Sequence, residues 1–192
     1  MKAHIFRILS VLLIAALLPV TALAAEQRTL ASNLVRLHVI ANSDSDRDQS
    51  LKLIVRDAVL DATADISENE LEGSLDDIRS TAELALRSNG CDSPVRVLLG
   101  YEEYGTREYD SFSLPAGRYR SLRVEIGDAA GHNWWCVLFP PLCFASAEEV
   151  IEQASAFGMS EEAVELITED GQDVQIRFRL LELLQELAHF LF

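Results

Sequence analysis

The amino-acid sequence predicts an α+β fold: an antiparallel sheet of about four to five strands packed with helices, in a single domain. Three observations predict it. Short segments alternate apolar and polar residues with period two, stripes of apolar residues at helical spacing lie between them, and no Pro/Gly/Ser-rich linker or internal repeat divides the chain. Of its 192 residues, those from 25 to 192 suit one domain, large enough to bury about 70% of its unfolded surface.

The chain opens with Lys2 and Arg7 ahead of an apolar run from Ile8 to Leu18, then Pro19 and the small-x-small triplet Ala22-Leu23-Ala24. That is the layout of a secretory signal peptide over residues 1–24. Cleavage after Ala24 is favoured over retention as an anchor, because a spanning helix needs about 20 apolar residues. Leu34 to Ala41 then alternates Val35, Leu37 and Val39 against Arg36 and His38, the pattern of a half-buried strand. Asn42-Ser43-Asp44-Ser45 is turn chemistry, with Ser45 as N-cap and Asp46 and Asp48 in the first helical turn, where the macrodipole favours anions. The helix that follows points Leu51, Ile54, Val55, Ala58, Val59 and Ala62 inward and leaves Lys52, Arg56, Asp57 and Asp61 toward water.

Leu71, Leu75, Ile78, Ala82 and Ala85 mark a second helix, ending at Asn89-Gly90, where glycine adopts a left-handed cap without steric penalty. Pro94 opens a strand through Val95, Val97, Leu99 and Tyr101, and a second strand is expected from about Arg107 to Leu114. Pro115-Ala116-Gly117 turns the chain into a strand through Leu122, Val124 and Ile126, and the loop Gly127 to Gly131 returns it as Asn133 to Phe139. Ser146 with Glu149 three positions on is a capping box for a helix to about Phe157, and a shorter helix is expected over Glu161 to Ile167. A strand through Val174, Ile176 and Phe178 and a helix carrying Leu180, Leu181, Leu184, Leu187 and Leu191 close the chain. Phe190 and Phe192 flank that stripe, to pack internally or to touch a membrane or partner helix.

Formal charge is −15; without residues 1–24, which hold Lys2, Arg7 and no acid, 14 basic face 31 acidic side chains, or −17. A surface so acidic repels phosphate backbones and anionic lipid, and no basic stripe offsets it, so nucleic acid is not an expected partner. No motif of a serine hydrolase, zinc protease, P-loop NTPase or aspartic protease occurs. Asp44, Asp46 and Asp48 look like the start of a calcium loop, but Gln49 and Val55 stand where that loop needs glycine and glutamate. No metal, cofactor or small-molecule substrate is therefore expected. Among the histidines His4, His38, His132 and His189, His38 is placed either to act as a general base beside Asp44 or Asp57 or, as the favoured reading, to bond the strand-to-helix turn.

Both tryptophans, two of three cysteines and two of five prolines fall within Asn133 to Phe144. Pro140-Pro141 favours a bend that brings Cys136 and Cys143 together; a disulfide is preferred to a metal site, since no further ligand pair completes a tetrahedron. Cys91 is left over as a buried small hydrophobe. On a strand Trp134 and Trp135 face opposite sides, so one enters the core and the other is either an exposed interface anchor or is covered by a helix.

Two blocks carry a resemblance. Leu37 to Ser45, Asp48-Gln49, Leu51-Lys52 and Val55 to Val59 form the first, and Leu114 to Gly117, Leu122 to Val124, Ile126-Gly127 and Asn133 to Phe144 the second. Together they resemble the stage II sporulation protein R family over most of Leu34 to Phe144. The resemblance implies a signalling protein of endospore-forming bacteria, exported from the forespore into the space between the two membranes that separate it from the mother cell. There it would trigger a membrane-embedded aspartic protease that removes the pro-sequence of sigma-E. It implies no catalytic residues. The expected recognition surface is the turn from His38 to Asp48, with Asn42, Ser43 and Asp44, and the loop from Trp134 through Trp135 to Cys143. Capping of the helix by Asn42, Ser43 and Asp44, and pairing of Asp57 with a buried arginine, are the purely structural alternatives. From other classes, a secreted hydrolase of cell-wall polymer would show a deep acidic cleft, and a structural protein of the spore envelope would self-assemble.

Overall fold

A single strand, flanked on both sides, organises the sheet. The computed structural model describes residues 25, 27–168, 179 and 183. The signal peptide, the strand of Val174, Ile176 and Phe178, the leucines assigned to the closing helix, and His189, Phe190 and Phe192 lie outside the described residues. Residues 27–32 are helical. Strand β1 is Val35–Ile40, helix α1 Asp46–Thr63, and a 3-10 segment, Glu68–Ser74, leads into α2, Leu75–Ser88. Next come β2 (Val95–Tyr104), β3 (Arg107–Glu108), β4 (Ser113–Leu114), β5 (Gly117–Ile126), β6 (Asn133–Phe139), α3 (Ala147–Ala156) and α4 (Glu161–Thr168). No helix among the described residues is long and apolar enough to cross a membrane.

The class is α+β as expected, but the sheet is mixed. Its order is β2-β5-β1-β6, with β1 parallel to β5 and antiparallel to β6, and β2 antiparallel to β5. The parallel pair arises because β1 is inserted between β5 and β6, which follow one another in sequence; alternation reports a strand but not its neighbour. The strand expected over 107–114 is instead the two-residue strands β3 and β4, paired as a separate small sheet.

Local signals explain the element ends. Ser45 Oγ accepts from the Asp48 amide at the start of α1, and Ser146 and Glu149 form the reciprocal capping box of α3. α2 ends at Asn89 and Gly90, the latter at φ +69°. The Phe139-Pro140 peptide is cis.

Two apolar cores result, one on each face of the sheet. On one face Val35, Leu37, Val39, Leu122 and Val124 pack against Val55 and Val59 of α1 and Ile78, Ala82 and Leu86 of α2. On the other, Tyr104, Tyr119 and Val137 pack with Leu30, Leu34, Phe112 and Leu114, and with Val150, Ala154 and Ile167 of α3 and α4. This second layer overturns the half-buried reading of β1: Arg36, expected to face water, is fully buried. Lys52 is a second departure. Its side chain folds inward, donating to Gln49 Oε1 (2.6 Å) and to the His132 carbonyl (3.1 Å), and burial lowers its pKa.

Candidate functional site

Because β1 and β5 run parallel, their C-terminal ends lie at the same end of the sheet, and the chain leaving β5 must step over the end of β1 to begin β6. The turn at residues 41–45 and the loop at residues 127–132 therefore meet. Gly131 donates its amide to the Ala41 carbonyl (2.9 Å) and Ala130 to the Asn42 carbonyl (3.2 Å). The Asn42 side chain accepts from the Asp128 amide (3.0 Å) through Oδ1 and donates to Asp48 Oδ2 (2.9 Å) through Nδ2. Ser43 Oγ donates to the same Asp48 oxygen (2.6 Å). These two hydrogen bonds hold the Asp48 carboxyl below its ordinary pKa.

Glycine is required where the loop crosses. A Cβ on Gly127, at φ +58°, would lie 2.2 Å from Asn42 Oδ1, and one on Gly131 would lie 2.3 Å from the Ser43 carbonyl oxygen. At the rim, Asp44 accepts from the His132 amide (2.6 Å) and bonds the His132 ring. The amide bond first, then the ring, lowers the Asp44 pKa. Asn42, Ser43 and Asp48 are thus turned inward as a clasp, whereas Asp44 and His132 are exposed.

His38 and Trp135 face each other across β1 and β6, on the sheet face opposite α1 and α2. Their rings stack at 5.4 Å, and the Arg107 guanidinium lies 3.9 Å from the Trp135 ring centroid. The charge partner of His38 is neither Asp44 nor Asp57 but Glu102 of β2, 3.2 Å from Nδ1. Glu102 also pairs with Arg123 (3.3 Å) and accepts from the Tyr104 hydroxyl (3.1 Å), which itself bonds Ser121 Oγ (2.7 Å). Burial opposes ionisation of Glu102, yet hydrogen bonding by Ser121 and the charge of His38 outweigh it and lower its pKa. At His38 burial prevails over Glu102, so the imidazole pKa falls below 6.5. The other imidazole nitrogen, Nε2, has no hydrogen-bond partner among the described residues.

Sequence reasoning missed Glu102, Tyr104, Ser121 and Arg123. They lie on strands whose partners it left unknown, although the alternation that sends Val97 and Leu99 to one face sends Glu102 and Tyr104 to the other. Arg36 was equally unforeseen as a buried group. Its guanidinium stacks 3.8 Å from the Tyr104 ring centroid and donates to the Tyr109 hydroxyl (2.6 Å), while Nε and Nη1 have no hydrogen-bond partner among the described residues. Asp57 pairs with its neighbour Arg56 (2.7 Å), whose side chain is largely buried.

Trp134 and Trp135 point to opposite faces as expected, but neither is fully exposed or fully buried. Trp134 is capped by Arg56, 4.4 Å from its ring centroid, and Phe144 lies beside it. Cys136 and Cys143 are disulfide-bonded, and Cys91 is free and half-buried. Between β6 and the β3–β4 hairpin lies a cleft of about 610 Å³ whose carboxylates are Glu108, Asp110 and Glu149. Among the described residues, no group of three His, Cys, Asp or Glu side chains is placed to hold a metal ion.

The fold and site define a disulfide-tied α+β domain in which most of the singled-out polar residues bond one another rather than converge on a reacting atom. The chain belongs to the stage II sporulation protein R family, whose model matches residues 31–149. It is 32% identical over 180 residues to stage II sporulation protein R of Bacillus subtilis (strain 168), an alignment spanning 87% of this chain and 80% of that relative. No solved structure matches it.

Proposed function

We propose that this chain is a secreted, non-enzymatic signalling protein of sporulation. It acts between the forespore and mother-cell membranes by activating the membrane-embedded aspartic protease that processes pro-sigma-E. The observation that carries the reading is membership of the stage II sporulation protein R family across both sequence blocks. The disulfide is consistent with export, since such bonds persist in oxidising compartments. The contact surface we assign is the rim of Asp44 and His132 with the neighbouring Trp134–Cys143 loop, held in place by the clasp of Asn42, Ser43 and Asp48.

The test is reconstitution. The purified chain is added outside vesicles that contain the candidate protease, and processing of the sigma-E precursor is read on the other side. Processing that depends on added chain is the expected result; no processing together with no direct binding overturns the assignment. A second reading, a hydrolase of cell-wall polymer, has one observation in its favour, the cleft bordered by Glu108, Asp110 and Glu149. Glu149, however, is held by the Ser146 cap, whose backbone amide bond first and side-chain bond second lower its pKa, so it is a poor general acid. Release of soluble fragments from purified cell wall would establish that reading instead.

A further inference from the structure

A second concavity, sharing Cys143, Phe144, Ala145 and Glu149 as a common wall with the cleft beside the β3–β4 hairpin, lies where the end of α1 faces the disulfide loop and α3. It is a groove of about 390 Å³, walled by Leu60 and Ile66 on one side, Leu138, Phe139 and Phe144 across the floor and lip, and Phe157 at the end of α3. Two of these are conspicuously open to solvent: Phe144 is 66% and Phe157 43% exposed. Isolated exposed apolar residues are ordinary, but two phenylalanines on the lip of one apolar groove form a continuous patch.

The sequence of the groove's walls is acidic, although Asp57, Glu68, Asp76 and Glu125 are paired with arginines, which leaves the exposed carboxylates next to the lining as the rim. The walls come from two stretches that contain no lysine or arginine. Residues 57–78 hold eight carboxylates (Asp57, Asp61, Asp65, Glu68, Glu70, Glu72, Asp76, Asp77), and residues 124–168 hold another eight (Glu125, Asp128, Glu148, Glu149, Glu152, Glu161, Glu162, Glu165). Asp61 and Asp65 neighbour the lining residues of α1, and Glu148 and Glu152 those of α3; all four are exposed. At the lip, Arg56 pairs with Asp57 and lies 4.9 Å from the Phe144 ring centroid. An apolar floor inside an acidic rim complements one kind of chain segment, apolar on one face and cationic on its flanks. An anionic lipid surface would be repelled by the same rim.

We infer that this groove is a docking site for a cationic amphipathic segment of a partner protein, with Phe144 as the aromatic anchor on its lip. Aromatic groups surrounded by residues that exclude water carry a disproportionate share of interface energy. The disulfide fixes the base of the Phe144 loop, so the anchor is presented with little ordering cost. That the groove serves signalling rests on the function proposed above; the groove's own binding chemistry does not.

A direct binding assay tests it. The probe is a labelled synthetic peptide of about four helical turns, with Leu at i, i+3, i+4 and i+7 spacing and Lys elsewhere. Two control peptides accompany it, one of the same composition in scrambled order and one with Glu replacing Lys. Saturable binding to the purified chain is expected, at least tenfold weaker for both controls and at least fivefold weaker for Phe144→Ala and for Glu152→Lys. Both substitutions are at exposed positions, so folding is preserved. If the scrambled peptide binds equally, or Phe144→Ala binds as tightly as the unaltered chain, the groove is not the site. Preferential binding of the chain to anionic lipid vesicles through Phe144 would likewise overturn it. The vesicle-processing assay fails separately: processing that survives Phe144→Ala removes the groove's role and leaves the trigger, whereas peptide binding without processing does the reverse.

Discussion

The two faces of the sheet are built on different physics. On the face covered by α1 and α2, Leu37, Val39, Leu122 and Val124 meet apolar side chains and little else. On the other, the same strands present Arg36, His38, Glu102, Tyr104, Ser121 and Arg123, linked by hydrogen bonds, stacking and ion pairs. Apolar burial is non-directional and tolerates repacking, whereas a buried polar network depends on each member finding its partner. The face under α1 and α2 should therefore tolerate repacking better, and the face that carries the polar network, although it too has an apolar core, should supply most of the geometric specification.

Substitution of Leu122, fully buried beneath α1 and α2, by alanine should cost about 2–5 kcal/mol in urea unfolding. A cost well below 1 kcal/mol would remove the contrast from the apolar side. Removing the disulfide by Cys136→Ser with Cys143→Ser opens a short loop that constrains the unfolded chain, and should cost about 2 kcal/mol, read as a lower unfolding midpoint in the absence of reductant. Asn42→Ala breaks the clasp between the β1–α1 turn and the β5–β6 loop at Asp128 and Asp48. It should cost about 1–2 kcal/mol, with amide exchange accelerating first around residues 127–132.

On the polar face, Arg36→Met keeps the length and removes a buried guanidinium that has no carboxylate partner among the described residues. Its effect on stability should be near zero or stabilising, because an uncompensated buried charge carries a desolvation penalty. A loss as large as that of Leu122→Ala would show that stacking on Tyr104 and Tyr119 dominates, and would sharpen the comparison the other way.

The smallest expected effect is a dependence on pH. The folded-state pKa of His38 lies below its unfolded value of 6.5, so below 6.5 the unfolded chain binds more protons. The stability that follows from keeping His38 neutral is thus complete above pH 6.5 and declines as pH falls toward the folded pKa. Glu102, Asp44 and Asp48, all lowered, lose their contributions only at more acid pH, as each is protonated below its ordinary carboxylate range. His38→Phe should flatten the upper window and leave the lower one; an unchanged profile would show that the imidazole does not titrate differently in the two states.

Much of the candidate site was legible only as residue types. The Ser45 and Ser146 caps, the left-handed Gly90, the opposite facing of Trp134 and Trp135, and the Cys136–Cys143 bond were readable because each depends on residues within a few positions. The partner of His38 was not, because Glu102 is 64 positions away and becomes a neighbour only through the strand order β2-β5-β1-β6. Asn42, Ser43 and Asp44 were correctly marked as turn chemistry, yet their engagement with residues 128–132 follows from a crossover that local pattern does not encode.

The sequence by itself determined the periods, and with them the strands, helices, caps and the α+β class, since side-chain direction repeats every two or 3.6 residues whatever lies nearby. Its motifs also determined the family. The tertiary structure decided what pairs with what: the parallel β1–β5 ladder, the burial of Arg36 and Lys52, the exchange of Asp44 and Asp57 for Glu102 beside His38, and the groove beneath Phe144. The physical reason is that burial and pairing depend on every element that packs against a residue. Strand β1 looks half-exposed in isolation, and is covered on its second face only because distant helices and a small hairpin settle there.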